Sequence, residues 1–248
     1  MFNSHPNCTR CELHATVIKN VGVPTIQLPS LPPSPTTPAI IFIGMNPGYH
    51  EDINNEPFFP MLDPRDGRPN SGYLFRNVYL KPMDWEQTCS LYCTNIVRCG
   101  PMPKPPAKSA VACFPYLLAD IDTIMQAHHA AKIAVCLLGE YAASQFFMRF
   151  VGIKRLTLTE ARNLNGNEYF RHFHLSNRSG DAHTLNIAYG TFTTFHPAAV
   201  LREEAYIVSV ESHLELLDDY LNGTMATPSD PTFIPPRAPR TQPCKMTT

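Results

Sequence analysis

Four of the cysteines fall into two separated groups: Cys8 and Cys11 form a C-x2-C pair in a polar segment, while Cys99 and Cys113 flank a proline-rich loop. Thiolates from two such groups can hold a zinc ion or an iron–sulfur cluster. The second pair is not a C-x2-C, so separate buried thiols are the competing reading. Gly44-Met45-Asn46-Pro47-Gly48 is a tight turn whose backbone N–H groups can approach a ligand, and it offers the amide of Asn46. Pro57-Phe58 presents an aromatic that either stacks on a planar ligand or fills a core. His196 precedes a proline, which biases it towards an extended conformation. A histidine so placed can donate to negative charge that develops on a leaving group; the plain alternative is a surface histidine.

These residues need elements to position them. Ala39–Ile43, Leu91–Val97, Lys132–Leu138 and Thr191–Phe195 are short apolar or β-rich runs that read as strands. Ala110–Met125, Tyr141–Phe150 and Glu203–Leu221 carry apolar residues at helical spacing. Strands alternating with helices predict a single α/β domain over residues 1–225, its mostly parallel central sheet flanked by helices on both faces. In such sheets the ligand crevice lies outside the carboxyl ends of the strands, where Asn46 and His196 fall. Residues 24–38 read as a proline-rich extended connector, and residues 226–248 as a disordered proline-rich tail.

Composition narrows the class. The chain has 248 residues, 44% of them hydrophobic, and a net charge of -1. It is globular, and any nucleic-acid site must rest on local charge. No apolar run is long enough for a membrane span, and the polar first ten residues do not read as a signal peptide, so a cytoplasmic monomer with no membrane partner is expected. Between Arg149 and Arg178 six Lys or Arg face two acids, which makes this stretch, with Arg171, His172 and Arg178, the expected DNA-contacting face. Asn163–Asn167 reads as a turn between two basic arms, and the acidic Glu203–Asp219 stretch is expected to face away from DNA.

In this order the motifs resemble the iron–sulfur, family 4 uracil-DNA glycosylases of the uracil-DNA glycosylase superfamily. That family carries C-x2-C, a G-E-x-P-G-x-x-E-D turn, a P-F pair, T-N-x-x-x-C, a fourth cysteine after a proline-rich loop, and H-P-S. The matches are Cys8 and Cys11, Gly44 to Asp52, Pro57-Phe58, Thr94-Asn95 to Cys99, Cys113 and His196-Pro197. The resemblance implies that Cys8, Cys11, Cys99 and Cys113 ligate a [4Fe–4S] cluster. It implies that Phe58 stacks on a flipped base in a pocket that includes Gly44, Met45 and Gly48. Asn95 then reads the base edge, and His196 stabilises the departing base anion. Two departures matter. Met45 replaces the family's glutamate, and G-M-N-P-G is similar to the single-strand-selective uracil glycosylases, where the asparagine positions water; that role falls to Asn46. Ala198 replaces the serine of H-P-S.

The expected reaction is monofunctional: a pyrimidine nucleotide is flipped and its N-glycosidic bond hydrolysed, leaving an abasic site. No lysine accompanies the motifs, which disfavours lyase chemistry through a Schiff base. Three readings of the substrate and setting remain open. One is uracil repair. Another is phage defence by excision of a hydroxymethylated or glucosylated cytosine, since the Asn95 amide can pair with uracil or, flipped, with cytosine, and Gly48 leaves space at the base's C5. The third is a non-catalytic iron–sulfur protein that binds nucleic acid. An extra segment after Phe58, Met61–Asn70, with Asp63, Arg65, Asp66 and Arg68, either lines the base pocket or is a surface insertion.

Overall fold

The computed structural model describes residues 2, 5–153, 156–176 and 182–225. Among the described residues six strands form one sheet in the order β1-β3-β2-β4-β6-β5. They are β1 (Ile26–Gln27), β2 (Ala39–Gly44), β3 (Ser90–Asn95), β4 (Ile133–Leu138), β5 (Glu168–Ser176) and β6 (Ala182–Thr194). β3, β2, β4 and β6 run parallel, and the two edge strands are antiparallel to their neighbours. β2, β3 and β4 are buried along their whole length, which explains why β2 and β4 are unbroken apolar runs; β3 is as buried but carries Ser90, Thr94 and Asn95.

Helices cover both faces. Ile41 and Ile43 point to one side, where they pack with α3 (Ala107–Ala127), α4 (Glu140–Phe146) and α5 (Leu158–Arg162). Ile40 and Phe42 point to the other, against the helical run Ser71–Leu80 (α2 and a wider turn that continues it) and α7 (Tyr206–Asn222). Two short helices, α1 (Tyr49–Asn54) and α6 (Pro197–Val200), sit immediately beyond β2 and β6. Among the described residues no helix is long and apolar enough to cross a membrane.

Several expectations are corrected. The fourth strand is 13 residues long, not the five of Thr191–Phe195, and it forms a hairpin with β5. Part of the stretch read as a basic arm is therefore a strand. Tyr169 and Phe173 alternate inward from it, while Phe170 and His172 face solvent. The proline-rich connector is pinned at two residues as β1, with Ile26 opposite Cys93 and Gln27 opposite Tyr92. The last helix begins at Tyr206, after a turn at Glu203. Asn163–Asn167 is a turn, but it joins a helix to a strand. The proline-rich tail, residues 226–248, lies outside the described residues.

Candidate active site

Four strand ends build the site. β2 ends at Gly44, whose register partner is Asn95, the last residue of β3. A Cβ on Gly44 would lie 2.4 Å from Asn95 Oδ1 and 2.7 Å from Phe58 Cζ, so this glycine is what allows those two side chains to close over the strand end. Asn95 is 3% exposed, and its Nδ2 has no hydrogen-bond partner among the described residues. A buried amide donor without an acceptor costs about 1–3 kcal/mol, a debt that a polar ligand edge would cancel.

The turn after β2 is held from several directions. Asn46 Nδ2 donates to the carbonyls of Pro47 (3.1 Å) and Met102 (3.2 Å). Those two bonds orient the amide and leave Oδ1 buried, with no partner among the described residues. Gly100 approaches the turn so closely that a Cβ there would stand 1.9 Å from the Pro47 carbonyl oxygen. Gly48 begins α1, and its N–H donates to Glu51 Oε2. The other carboxylate oxygen, Oε1, accepts from the N–H of Phe58. Burial pushes the Glu51 carboxyl up to about 7, against the pull of those two N–H groups. Phe58 itself sits at φ 54, a left-handed conformation that costs a side-chain-bearing residue about 1–3 kcal/mol. Its ring packs against Phe75 (centroids 4.6 Å apart) and lies 5.9 Å from the ring of His196.

His196 follows β6 and caps α6. Its Nδ1 accepts from the N–H of Ala198 at 3.1 Å, so in the neutral ring the proton resides on Nε2. Burial, with a smaller contribution from Arg202, pulls its pKa down to about 4. The ring is therefore neutral near pH 7 and has one N–H to donate. Gly139, at φ 89 after β4, leaves room for it; a Cβ there would be 3.1 Å from the His196 Cβ. Tyr79 donates to the Phe195 carbonyl at 2.9 Å and fixes the strand end just before the histidine.

A cleft of about 560 Å³ opens over this rim. Met45, Asn46, Gly48, Glu51, His196 and Arg202 are among its walls. The structure thus brings Asn46 and His196, from different strand ends, into one cavity, while Gly44, Phe58 and Asn95 meet beside it. The Met61–Asn70 segment is not part of the walls. It is a surface hairpin bridged at Leu62 and Pro69, and its charges pair internally, Arg65 with Asp63 and Arg68 with Asp66.

The expected DNA face is not at this rim. Arg171 pairs with Ile187, seven residues before the end of β6, which places it about 23 Å along the sheet from the rim. Its guanidinium is engaged by Asp122 of α3 through bonds of 2.7 and 2.8 Å. His172 bonds across the hairpin to Asn186. Arg178 lies outside the described residues. Among the described residues the exposed cation at the cleft is Arg202, which sequence reasoning missed because nothing in its neighbourhood marks it.

The cysteine segment packs on the first half of α3. His5 stacks on Tyr116 with centroids 3.7 Å apart, Arg10 lies over the same ring, and Tyr116 Oη is 3.8 Å from Cys8 Sγ. Cys113 is one turn before Tyr116. Burial pushes the Cys99 thiol up to about 11, the Gly22 N–H pulls it down, and Cys113, Cys11 and Cys8 each push it further up. Cys113 is likewise raised, chiefly by burial, and feels Cys11 and Cys8. Among the described residues no three His, Cys, Asp or Glu converge tightly enough to hold a single metal ion. Arg98, 1% exposed and adjacent to Cys99, bonds through Nη2 to Asp120 and Thr25, while its Nε and Nη1 find no acceptor.

Comparison with known proteins now adds to this geometry. Residues 32–215 match the family model described as "Uracil DNA glycosylase superfamily". The type-4 uracil-DNA glycosylase of Saccharolobus solfataricus is 27% identical over 168 residues, a match that covers 65% of this chain and 62% of that relative. The chain thus aligns with less than two thirds of the relative's length.

Proposed function

Since the chain belongs to the uracil-DNA glycosylase superfamily, we propose that it is a DNA glycosylase that hydrolyses the N-glycosidic bond of uracil and leaves an abasic site. One observation carries this reading. The Oδ1 of Asn46 and the Nε2–H of the neutral His196, neither with a partner among the described residues, share one cleft at the sheet rim. An acceptor and a donor so placed match the needs of this reaction, in which positive charge grows on the sugar and negative charge on the base.

The target nucleotide leaves the base stack, because a paired base cannot reach a cleft. Asn95 meets its Watson–Crick edge with the amide that otherwise lacks a partner, and Phe58 supports the base. His196 donates from Nε2 to the base oxygen as the glycosidic bond lengthens; a preorganised neutral donor in a buried site needs no proton transfer to act. Asn46 Oδ1 accepts from a water and holds it near the anomeric carbon, which removes the entropy cost of recruiting it. The water's oxygen joins the sugar, its proton is released, and the base leaves with the bonding pair. Arg202 contacts a flanking phosphate.

We assign Cys8, Cys11, Cys99 and Cys113 to a [4Fe–4S] cluster. The donor set fits such a group better than a single ion. Cys99 and Cys113 both feel the charges of Cys8 and Cys11, among the described residues no three of these thiols meet at one point, and the N–H groups of Gly22 and Arg98 face Cys99 and Cys113. The cluster would supply cohesion, tying the N-terminal segment to α3.

Uracil is favoured over a hydroxymethylated or glucosylated base. The Met61–Asn70 segment, which would have supplied contacts for sugar hydroxyls, stands outside the cleft with its charges internally paired. The test is a panel of oligonucleotides containing uracil, hydroxymethyluracil, hydroxymethylcytosine or its glucosylated form, scored for abasic sites. Excision confined to uracil is expected. Excision of only the glucosylated base would transfer the assignment to modified DNA, and DNA binding without excision of any base would support a non-catalytic binding role.

A further inference from the structure

We infer that Glu51 is a positioning residue for this reaction: its carboxylate fixes the spacing between the turn that holds the water and the aromatic that supports the base. The inference rests on the function proposed above.

Glu51 is 8% exposed, yet it reaches the cleft wall. It spends both oxygens on backbone. Oε2 takes the N–H of Gly48, two residues after Asn46, and Oε1 takes the N–H of Phe58, seven residues on. Among the described residues no other side chain bonds to both of these segments. The Phe58 bond is made at a backbone conformation that is unfavourable on its own, so without it the chain at Phe58 has reason to relax. Such a relaxation moves the ring that packs at Gly44 beside Asn95. Releasing Gly48 frees the other end, the turn that aims Asn46. A protonated carboxyl has one good acceptor, not two, and cannot hold both segments.

Other charged and titratable groups surround it. Asp52, next on the same helix, faces away and accepts from the N–H groups of Ile18, Lys19 and Asn20. From β3, the Cys93 thiol is pushed up to about 12. From α6 and its approach come His196, pulled down to about 4, and the guanidinium of Arg202. From α4 come Glu140 and Tyr141, whose hydroxyl burial pushes up. The carboxyl of Glu51, raised to about 7, is the group whose own shift brings it into the neutral range.

The experiment is single-turnover excision from a uracil oligonucleotide between about pH 5.5 and 8.5, for wild type and Glu51→Gln, with binding of uncleaved DNA measured alongside. The wild-type rate should fall as pH drops through about 7. Glu51→Gln should excise about 10²-fold more slowly at pH 8, the scale of a 1 Å misplacement, with a flat profile and DNA affinity within about threefold. A wild-type rate that ignores pH across this range overturns the inference even if the variant fails to fold. So does a Glu51→Gln variant with wild-type rate and profile. Wild type that excises no base at any pH sinks the proposed function itself, and the role of Glu51 with it.

Discussion

Replacing Gly44 with alanine is the sharpest steric probe of the base pocket. Gly44 has no left-handed backbone, so a side chain brings no dihedral strain and the effect is purely one of space. The new Cβ would stand 2.4 Å from Asn95 Oδ1 and 2.7 Å from Phe58 Cζ. Ordinary contacts begin near 3.5 Å, so each neighbour must retreat by roughly 1 Å. Both neighbours are buried, and Phe58 is backed by Phe75, so the retreat is opposed. Overpacking of this kind costs about 1–3 kcal/mol of stability. If Asn95 and Phe58 hold the base as proposed, a displacement of that size should cost about 10²-fold in rate. Single-turnover excision from a single-stranded uracil oligonucleotide removes duplex opening from the measurement, and urea unfolding reads the stability. Adding Asn95→Ala to Gly44→Ala should restore part of the lost stability, because one of the two clashes disappears, without restoring excision. Gly44→Ala with wild-type rate and an unchanged urea midpoint would refute the claim that this glycine sets the pocket.

Four further outcomes are expected. His196→Asn keeps a side-chain acceptor for the Ala198 N–H, so its stability should stay near wild type while excision falls about 10²–10³-fold; His196→Ala should lose the cap as well, about 1 kcal/mol in urea unfolding. Because the folded pKa of His196 is about 4 and the unfolded value 6.5, its burial costs nothing above pH 6.5, and stability is lost as pH falls from 6.5 towards 4, where the unfolded chain takes up the proton first; urea midpoints across that window should show a shallower fall in His196→Asn than in wild type. Arg202→Ala should reduce the slope of log affinity against log salt by about 0.7–0.9, whereas Arg171→Ala, already paired with Asp122, should leave that slope unchanged and lower stability instead. Purified protein should carry about four iron atoms per chain with broad visible absorbance, and Cys99→Ala should lose both iron and folding together; colourless protein without iron would remove the cluster.

The parallel core was legible because strands buried on both faces must be apolar throughout, as Ala39–Gly44 and Ile133–Leu138 are. The β5–β6 hairpin was not. Its inward residues Tyr169 and Phe173 are separated by Arg171, whose inward charge is tolerated only because Asp122 of α3 meets it. That partner is 49 positions away, so from the sequence the stretch read as a basic arm. β1 was hidden because two residues among prolines carry no periodic signal. Within the site, Asn46 and His196 could be found from their places at strand ends. The tautomer of His196 and the bridge made by Glu51 could not, since both depend on backbone N–H groups whose direction no side-chain pattern encodes.

Helix α1 is six residues long, and its two adjacent acids point opposite ways. Glu51 holds the turn after β2, while Asp52, fully buried, takes the three N–H groups of Ile18, Lys19 and Asn20 in the segment that follows the cysteine pair. One turn of helix is therefore the shared fulcrum between the N-terminal segment and the cleft. A pull on either side is transmitted through a rigid lever of two residues, so the two regions should open to solvent as one cooperative unit. Hydrogen exchange at the amides of residues 18–20 and at Gly48 and Phe58 would then report the same opening free energy, and damage that loosens the cysteine segment would be felt as a softer grip on the base. Unequal protection at the two sets of amides would show that the lever does not transmit.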